Sequence, residues 1–119
     1  LISLYDSYLT PLGVAPLPHY GDDYTSSGHL YICRVPHISP EQRNEIIEAM
    51  AECGVATNVH YKPLPMMTAY KDLGFDIADY PNAYARFANE ITLPLHTCLT
   101  DEEARYVASS FAEIFEGVR

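Results

Sequence analysis

Two N-terminal helix signatures do most to limit what this chain can become. Ser39-Pro40-Glu41-Gln42 and Thr100-Asp101-Glu102-Glu103 each place a hydroxyl residue three positions before a Gln or Glu. In such a capping box the hydroxyl accepts from the N–H three residues on, and the later side chain reaches back to the N–H of the cap. Pro40 suits the first helical position, where a missing N–H does no harm. One helix therefore starts after Ser39 and runs to about Cys53, with Ile46, Ile47, Met50 and Ala51 toward the core and Gly54 as a left-handed stop. The other starts after Thr100, turns Val107, Phe111, Ile114 and Phe115 inward, and ends at Gly117.

The segments around these helices read as strands and shorter helices. Leu1, Leu4, Tyr5, Tyr8 and Leu9 fall near helical spacing, ended by Pro11 and Gly13, and 10–28 is loop-like. "HLYICRV" (29–35) is β-branched and aromatic and apolar on both faces, which predicts a central strand. "VATNVHY" (55–61) predicts a second strand, with Val55, Thr57, Val59 and Tyr61 on one face and Ala56, Asn58 and His60 on the other. Lys62 continues the second face, and Pro63 and Pro65 stop the strand. A short helix over 66–73 stops at Gly74. Pro81 opens another, with Tyr84, Phe87, Ala88 and Ile91 as its buried face, and "EITLPL" (90–95) is a third strand overlapping its end. The order is that of a layered α+β domain, a small mostly antiparallel or mixed sheet covered by helices.

The chain has 119 residues, the size of one domain. Its net charge is −9 with seven scattered Lys and Arg, so it lacks the basic stripe that nucleic acid requires, and an anionic membrane surface is disfavoured for the same reason. No apolar run is long enough to span a bilayer. Cys33, Cys53 and Cys98 are an odd, widely spaced set, which reads as free thiols in a cytoplasmic protein. Leu1 stands where an initiator methionine would, which suggests a piece of a longer or processed polypeptide.

Candidate chemistry is sparse. The local pairs His29/Cys33 and His96/Cys98 lack metal-binding spacing. No nucleophile motif assembles. Glu41, Asp101, Glu102 and Glu103 cluster at helix starts, where they complement the dipole. Lys62 and Lys71 are the only lysines. Lys71 reads as a solvated charge late in a short helix, and nothing near Lys62 in sequence suggests the apolar enclosure that would lower its pKa. The end of "GVATNVHYKPLP" (54–65) is left with two readings. It is either the solvated tip of a half-exposed strand or a pocket wall, where His60 can exchange a proton near neutral pH and Tyr61 offers a hydroxyl and a ring.

Three ordered segments carry a resemblance: "SSGHLYICRV", "GVATNVHYKPLP" and "YPNAYARFANEITLPLHTCLTDEEARYVASSF". Together they resemble the C-terminal part of the DegT/DnrJ/StrS family, pyridoxal-phosphate-dependent sugar aminotransferases of the aspartate aminotransferase fold (fold type I). "LPLHTCLTDEEARYV" is the most specific piece, and Pro65 stands where the family often has a second histidine. The resemblance implies the small domain of that fold, with residues 1–12 the end of an interdomain helix and 13–119 the domain proper. It implies that pyridoxal phosphate and its lysine belong to a large N-terminal domain outside this chain, so that no residue here is catalytic and the fragment alone is inactive. The whole enzyme is then expected to be a homodimer moving an amino group, typically from glutamate, to a nucleotide-linked keto-sugar. His60 and Tyr61, and more weakly Asn58 and Lys62, would contact that substrate, while His96 fixes a turn. A non-catalytic regulatory or interaction module of the same fold is the alternative.

Overall fold

The computed structural model describes residues 1–118. Helix α1 (Ile2–Leu9) runs into a 3-10 turn over Thr10–Leu12 and breaks at Gly13, whose φ of 81° is left-handed. Strand β1 is the short pair Ala15–Pro16, β2 is Tyr31–Arg34, and helix α2 is Pro40–Glu52. A 3-10 turn (Leu64–Met66) and the short helix α3 (Thr68–Lys71) lead through a second 3-10 turn (Ile77–Asp79) to α4 (Pro81–Phe87). Strand β3 (Glu90–Leu93) and the long helix α5 (Asp101–Val118) complete the order.

The strands form one antiparallel sheet, β1-β2-β3, with the aromatic and β-branched strand in the middle as expected. Register pairs Tyr31 with Leu93, Ile32 with Thr92, Cys33 with Ile91 and Arg34 with Glu90. Alternation then sorts the side chains. Tyr31, Cys33, Ile91 and Leu93 are buried in the core, while Ile32 and Arg34 are half-buried on the opposite face.

Helices α1 and α2 both pack on α5. Tyr5, Leu9, Ile46, Met50, Phe111 and Phe115 fill one core with the sheet. Phenolic hydroxyls pin α1 in place. Tyr5 donates to the Pro94 carbonyl at 2.7 Å, and Tyr31 donates to Asp6 Oδ1 at 2.8 Å.

Both capping boxes form. Ser39 Oγ accepts from the Gln42 N–H at 3.2 Å while Gln42 Oε1 accepts from the Ser39 N–H at 2.9 Å. Thr100 and Glu103 make the same reciprocal pair at 3.2 and 2.8 Å. Gly54 and Gly74 take left-handed φ of 75° and 90° at their helix ends.

Four expectations are corrected. The segment 55–61 is not a strand: it runs extended and makes a single bridge, Asn58 to Thr92, so Tyr61 does not share the core face with Val55. Ala51 is exposed, and the buried stripe of α2 is Arg43, Ile46 and Met50. Helix α4 ends at Phe87 with no buried residue, and Ile91 is buried from β3 instead. The loop 10–28 contains β1, whose two residues are too few to leave a pattern.

Candidate functional site

The sheet face turned away from the core helices is the floor of a cleft of about 290 Å³. Ile32, Arg34 and Glu90 supply the floor, because cross-strand partners project to the same side. Ala83, Arg86 and Phe87 of α4 form one wall, and His60, Tyr61 and Pro63 another. An apolar hollow of about 400 Å³, lined by Leu64, Tyr70, Phe75 and Tyr80, shares Pro63 and Ala83 with it.

The four residues singled out from sequence part company here. His60 and Tyr61 both line the cleft; Asn58 and Lys62 do not. Tyr61 is 69 % exposed, and its ring stands edge-on to that of His60 with centroids 4.7 Å apart. The peptide bond between them is cis. His60 is half-buried, with Nδ1 buried and meeting no hydrogen-bond partner among the described residues. Asn58 spends its main chain on Thr92 and its side-chain oxygen on the Val59 N–H at 2.8 Å. Lys62 and Lys71 are both exposed and neither lines the cleft.

Sequence reading missed the cations and the acid. Arg34 is half-buried, with Nε donating to Asn89 Oδ1 at 3.4 Å, and Arg86 is exposed at the rim. Two guanidinium groups thus line one small cleft of a chain with net charge −9. Glu90 lines the same cleft and is only 5 % exposed. Its Oε1 accepts from the His60 N–H and from Thr92 Oγ1, each at 3.0 Å. Behind it, Arg43 donates to the carbonyls of Phe87 (2.9 Å) and Glu90 (3.4 Å). Burial pushes the Arg43 guanidinium below its usual pKa, and the charge of Glu90 opposes that. Alternation along Tyr31–Arg34 was the one signal that could have placed Arg34 on the open face.

The cleft can hold an anionic, partly apolar ligand. The guanidinium forks suit phosphate or carboxylate oxygens, and Tyr61 and Phe87 offer rings for a flat or apolar part. Among the described residues no cluster of His, Cys, Asp and Glu is arranged to hold a metal ion. His96 contributes to its turn through its carbonyl, which accepts from the Leu99 N–H at 3.2 Å.

Comparison with known proteins agrees with this architecture. A putative sugar aminotransferase from Streptococcus pneumoniae, solved in its PMP form, superposes with a TM-score of 0.96 at 52% identity, covering 99% of this chain and 30% of that one. PseC of Helicobacter pylori, an aminotransferase involved in the biosynthesis of pseudoaminic acid, superposes with a TM-score of 0.86 at 29% identity, over 98% of this chain and 31% of that one. The dTDP-4-dehydro-2,3,6-trideoxy-D-glucose 4-aminotransferase of Saccharopolyspora spinosa is 32% identical over 115 residues, 94% of this chain and 28% of the relative. The chain spans less than a third of the length of each of these proteins. The fold of the resembled small domain is therefore present. Because the model of the DegT/DnrJ/EryC1/StrS aminotransferase family matches residues 1–112, the chain belongs to that family.

Proposed function

We propose that this chain is the small, cleft-closing domain of a pyridoxal-phosphate-dependent aminotransferase that moves an amino group from a donor, glutamate, to a nucleotide-linked keto-sugar. Residues 1–12 are the end of the interdomain helix and 13–119 the domain. The observation that carries the reading is the cleft: His60 and Tyr61 on one wall, with Arg34 and Arg86 facing the same space. The diphosphate of a nucleotide sugar has the charge those arginines complement, and Tyr61 can stack on a base or sugar face. A relative with a nucleotide keto-sugar in its name supports the substrate class.

The residues of this chain do not by themselves make a cofactor site. Both lysines are exposed, and neither lines the cleft. Pyridoxal phosphate, which supplies an electron sink where it binds, would be held by a large domain outside this chain. The part played here is to bind and orient the sugar and to close the cleft against water. His60 and Tyr61 are the principal substrate contacts, with Asn58 and Lys62 at the margin. The whole enzyme is a homodimer, and the free thiols of Cys33, Cys53 and Cys98 fit a reducing, cytoplasmic setting.

The test is spectroscopic. The full-length protein should purify yellow, lose the visible band when glutamate is added, and regain it with a nucleotide-linked keto-sugar. The isolated 119-residue chain should do none of this. A full-length protein that stays colourless when supplied with pyridoxal phosphate would overturn the reading.

A further inference from the structure

Glu90 is the only buried acidic side chain among the described residues, and it lies on the cleft face beside His60. Taking a carboxylate out of water is costly unless its partners are specific. Those partners show what it does. Asn58 and Thr92 exchange both main-chain hydrogen bonds, at 3.1 and 2.7 Å, as one rung of an antiparallel ladder. In that register the next such rung would pair His60 with Glu90, main chain to main chain. It does not form. The His60 N–H goes to the Glu90 carboxylate, and the Glu90 carbonyl is met by Arg43 instead. A side chain has taken over one bond of the missing rung, and beyond it the backbone leaves the sheet. This is why "VATNVHY" looks like a strand and is not one.

We infer that Glu90 is a positioning residue: its carboxylate anchors the His60 main chain out of ladder register and so aims His60 and Tyr61 into the cleft. The inference rests on the substrate-binding reading of that pair. Thr92 holds the same carboxylate oxygen through its hydroxyl, and Arg34 is the cross-strand neighbour of Glu90. The carboxylate is thus fixed from the sheet side before it meets the segment it holds.

The experiment compares three substitutions in the full-length protein. Glu90→Gln keeps an acceptor oxygen at the same reach, Glu90→Asp keeps the charge but falls one methylene short, and Glu90→Ala removes both. Amide exchange over residues 55–62 reads the anchor directly. Steady-state kinetics with a nucleotide keto-sugar read the aim. Asp and Ala at this position should quicken exchange at His60 and raise the sugar KM, each by about tenfold, with kcat within about twofold. Gln should stay within about twofold of the unaltered protein in both. Unaltered exchange in Glu90→Asp overturns the anchor, as does impairment in Gln equal to that in Asp. Faster exchange with an unaltered KM, where His60→Ala raises it, overturns the aiming role. If His60→Ala and Tyr61→Ala both leave kinetics untouched, the substrate reading falls, while faster exchange in Glu90→Asp still upholds the anchor.

Discussion

The guanidinium carbon of Arg43 lies 4.8 Å over the centroid of the Phe87 ring, and its Nη1 donates to the Phe87 carbonyl at 2.9 Å. This contact joins α2, on the core side, to the end of α4 at the cleft wall. Arg43→Met should destabilise the fold by about 2 kcal/mol, since it strands a buried carbonyl and removes the cation over the ring. Arg43→Lys should recover only part of this, because an ammonium lacks the flat fork. Urea unfolding of both variants measures the difference, and a midpoint unchanged in Arg43→Met would contradict it.

For the cleft, Tyr61→Ala in the full-length enzyme should raise the KM for nucleotide keto-sugar by about tenfold. Tyr61→Phe, which keeps the ring, should do less. His60→Ala should act in the same direction. None should shift the absorbance of the bound cofactor, since the pair contacts substrate in this reading. Kinetics unaltered in both alanine variants would remove the assignment.

The sequence shows the capping boxes outright. Ser39→Ala and Thr100→Ala should each lower stability by about 1 kcal/mol. Gln42 adds a tertiary link, donating to the Val118 carbonyl at 3.2 Å, so Gln42→Ala should cost at least as much as Ser39→Ala. Thermal unfolding of the three variants orders these costs, and a Ser39→Ala variant as stable as the parent would refute the first.

Alkaline pH should loosen the core. Burial, reinforced by the charge of Glu90, pushes the Cys33 thiol from its usual value of 9.0 up to about 12, and burial raises Tyr5 from 10.0 to about 12. Tyr31 is raised too, by burial first and then by its bond to Asp6. These groups hold their protons more tightly folded than unfolded. Their stabilisation is therefore complete below about pH 9 and is lost as pH climbs from there toward about 12. Melting temperatures should be flat below this window and fall within it; a Tm unchanged to about pH 11 would count against the burial of these groups. In parallel, exposed Cys53 and Cys98 should react with a thiol reagent at neutral pH, and Cys33 only after unfolding.

What could be read from the sequence was local. Ser39 with Gln42, Thr100 with Glu103, and Gly54 or Gly74 at a helix end act within a few residues, so their patterns survive without a structure. Tyr31–Arg34 was legible as a central strand because its composition demands cover. The segment 55–61 was not, because alternation of β-branched residues describes a chain able to pair, and whether it pairs depends on what stands opposite. Here that is Glu90, thirty residues away, whose side chain intervenes. Tyr84 and Phe87 fail for a related reason. Periodicity marks an apolar side of α4, but Tyr84 is left exposed, and Phe87 is half-buried at the cleft wall with Arg43 over its ring. Of the residues singled out from sequence, His60 and Tyr61 line the cleft. Alternation alone could place Arg34 on the open face, but that Glu90 stands beside it depends on cross-strand register, and that Arg86 lines the same cleft depends on where α4 packs; no short window contains either.

The short β1 and the lone Asn58–Thr92 rung have a shared consequence for solution behaviour. A sheet grows by recruiting foreign chains along its free margins. On one margin lies β1, only two residues long, of which Pro16 has no N–H to offer. On the other, the main chain of Thr92 is already occupied by Asn58. Neither margin presents the long run of vacant donors and acceptors that templates fibrils, so the sheet itself guards against cross-β self-assembly.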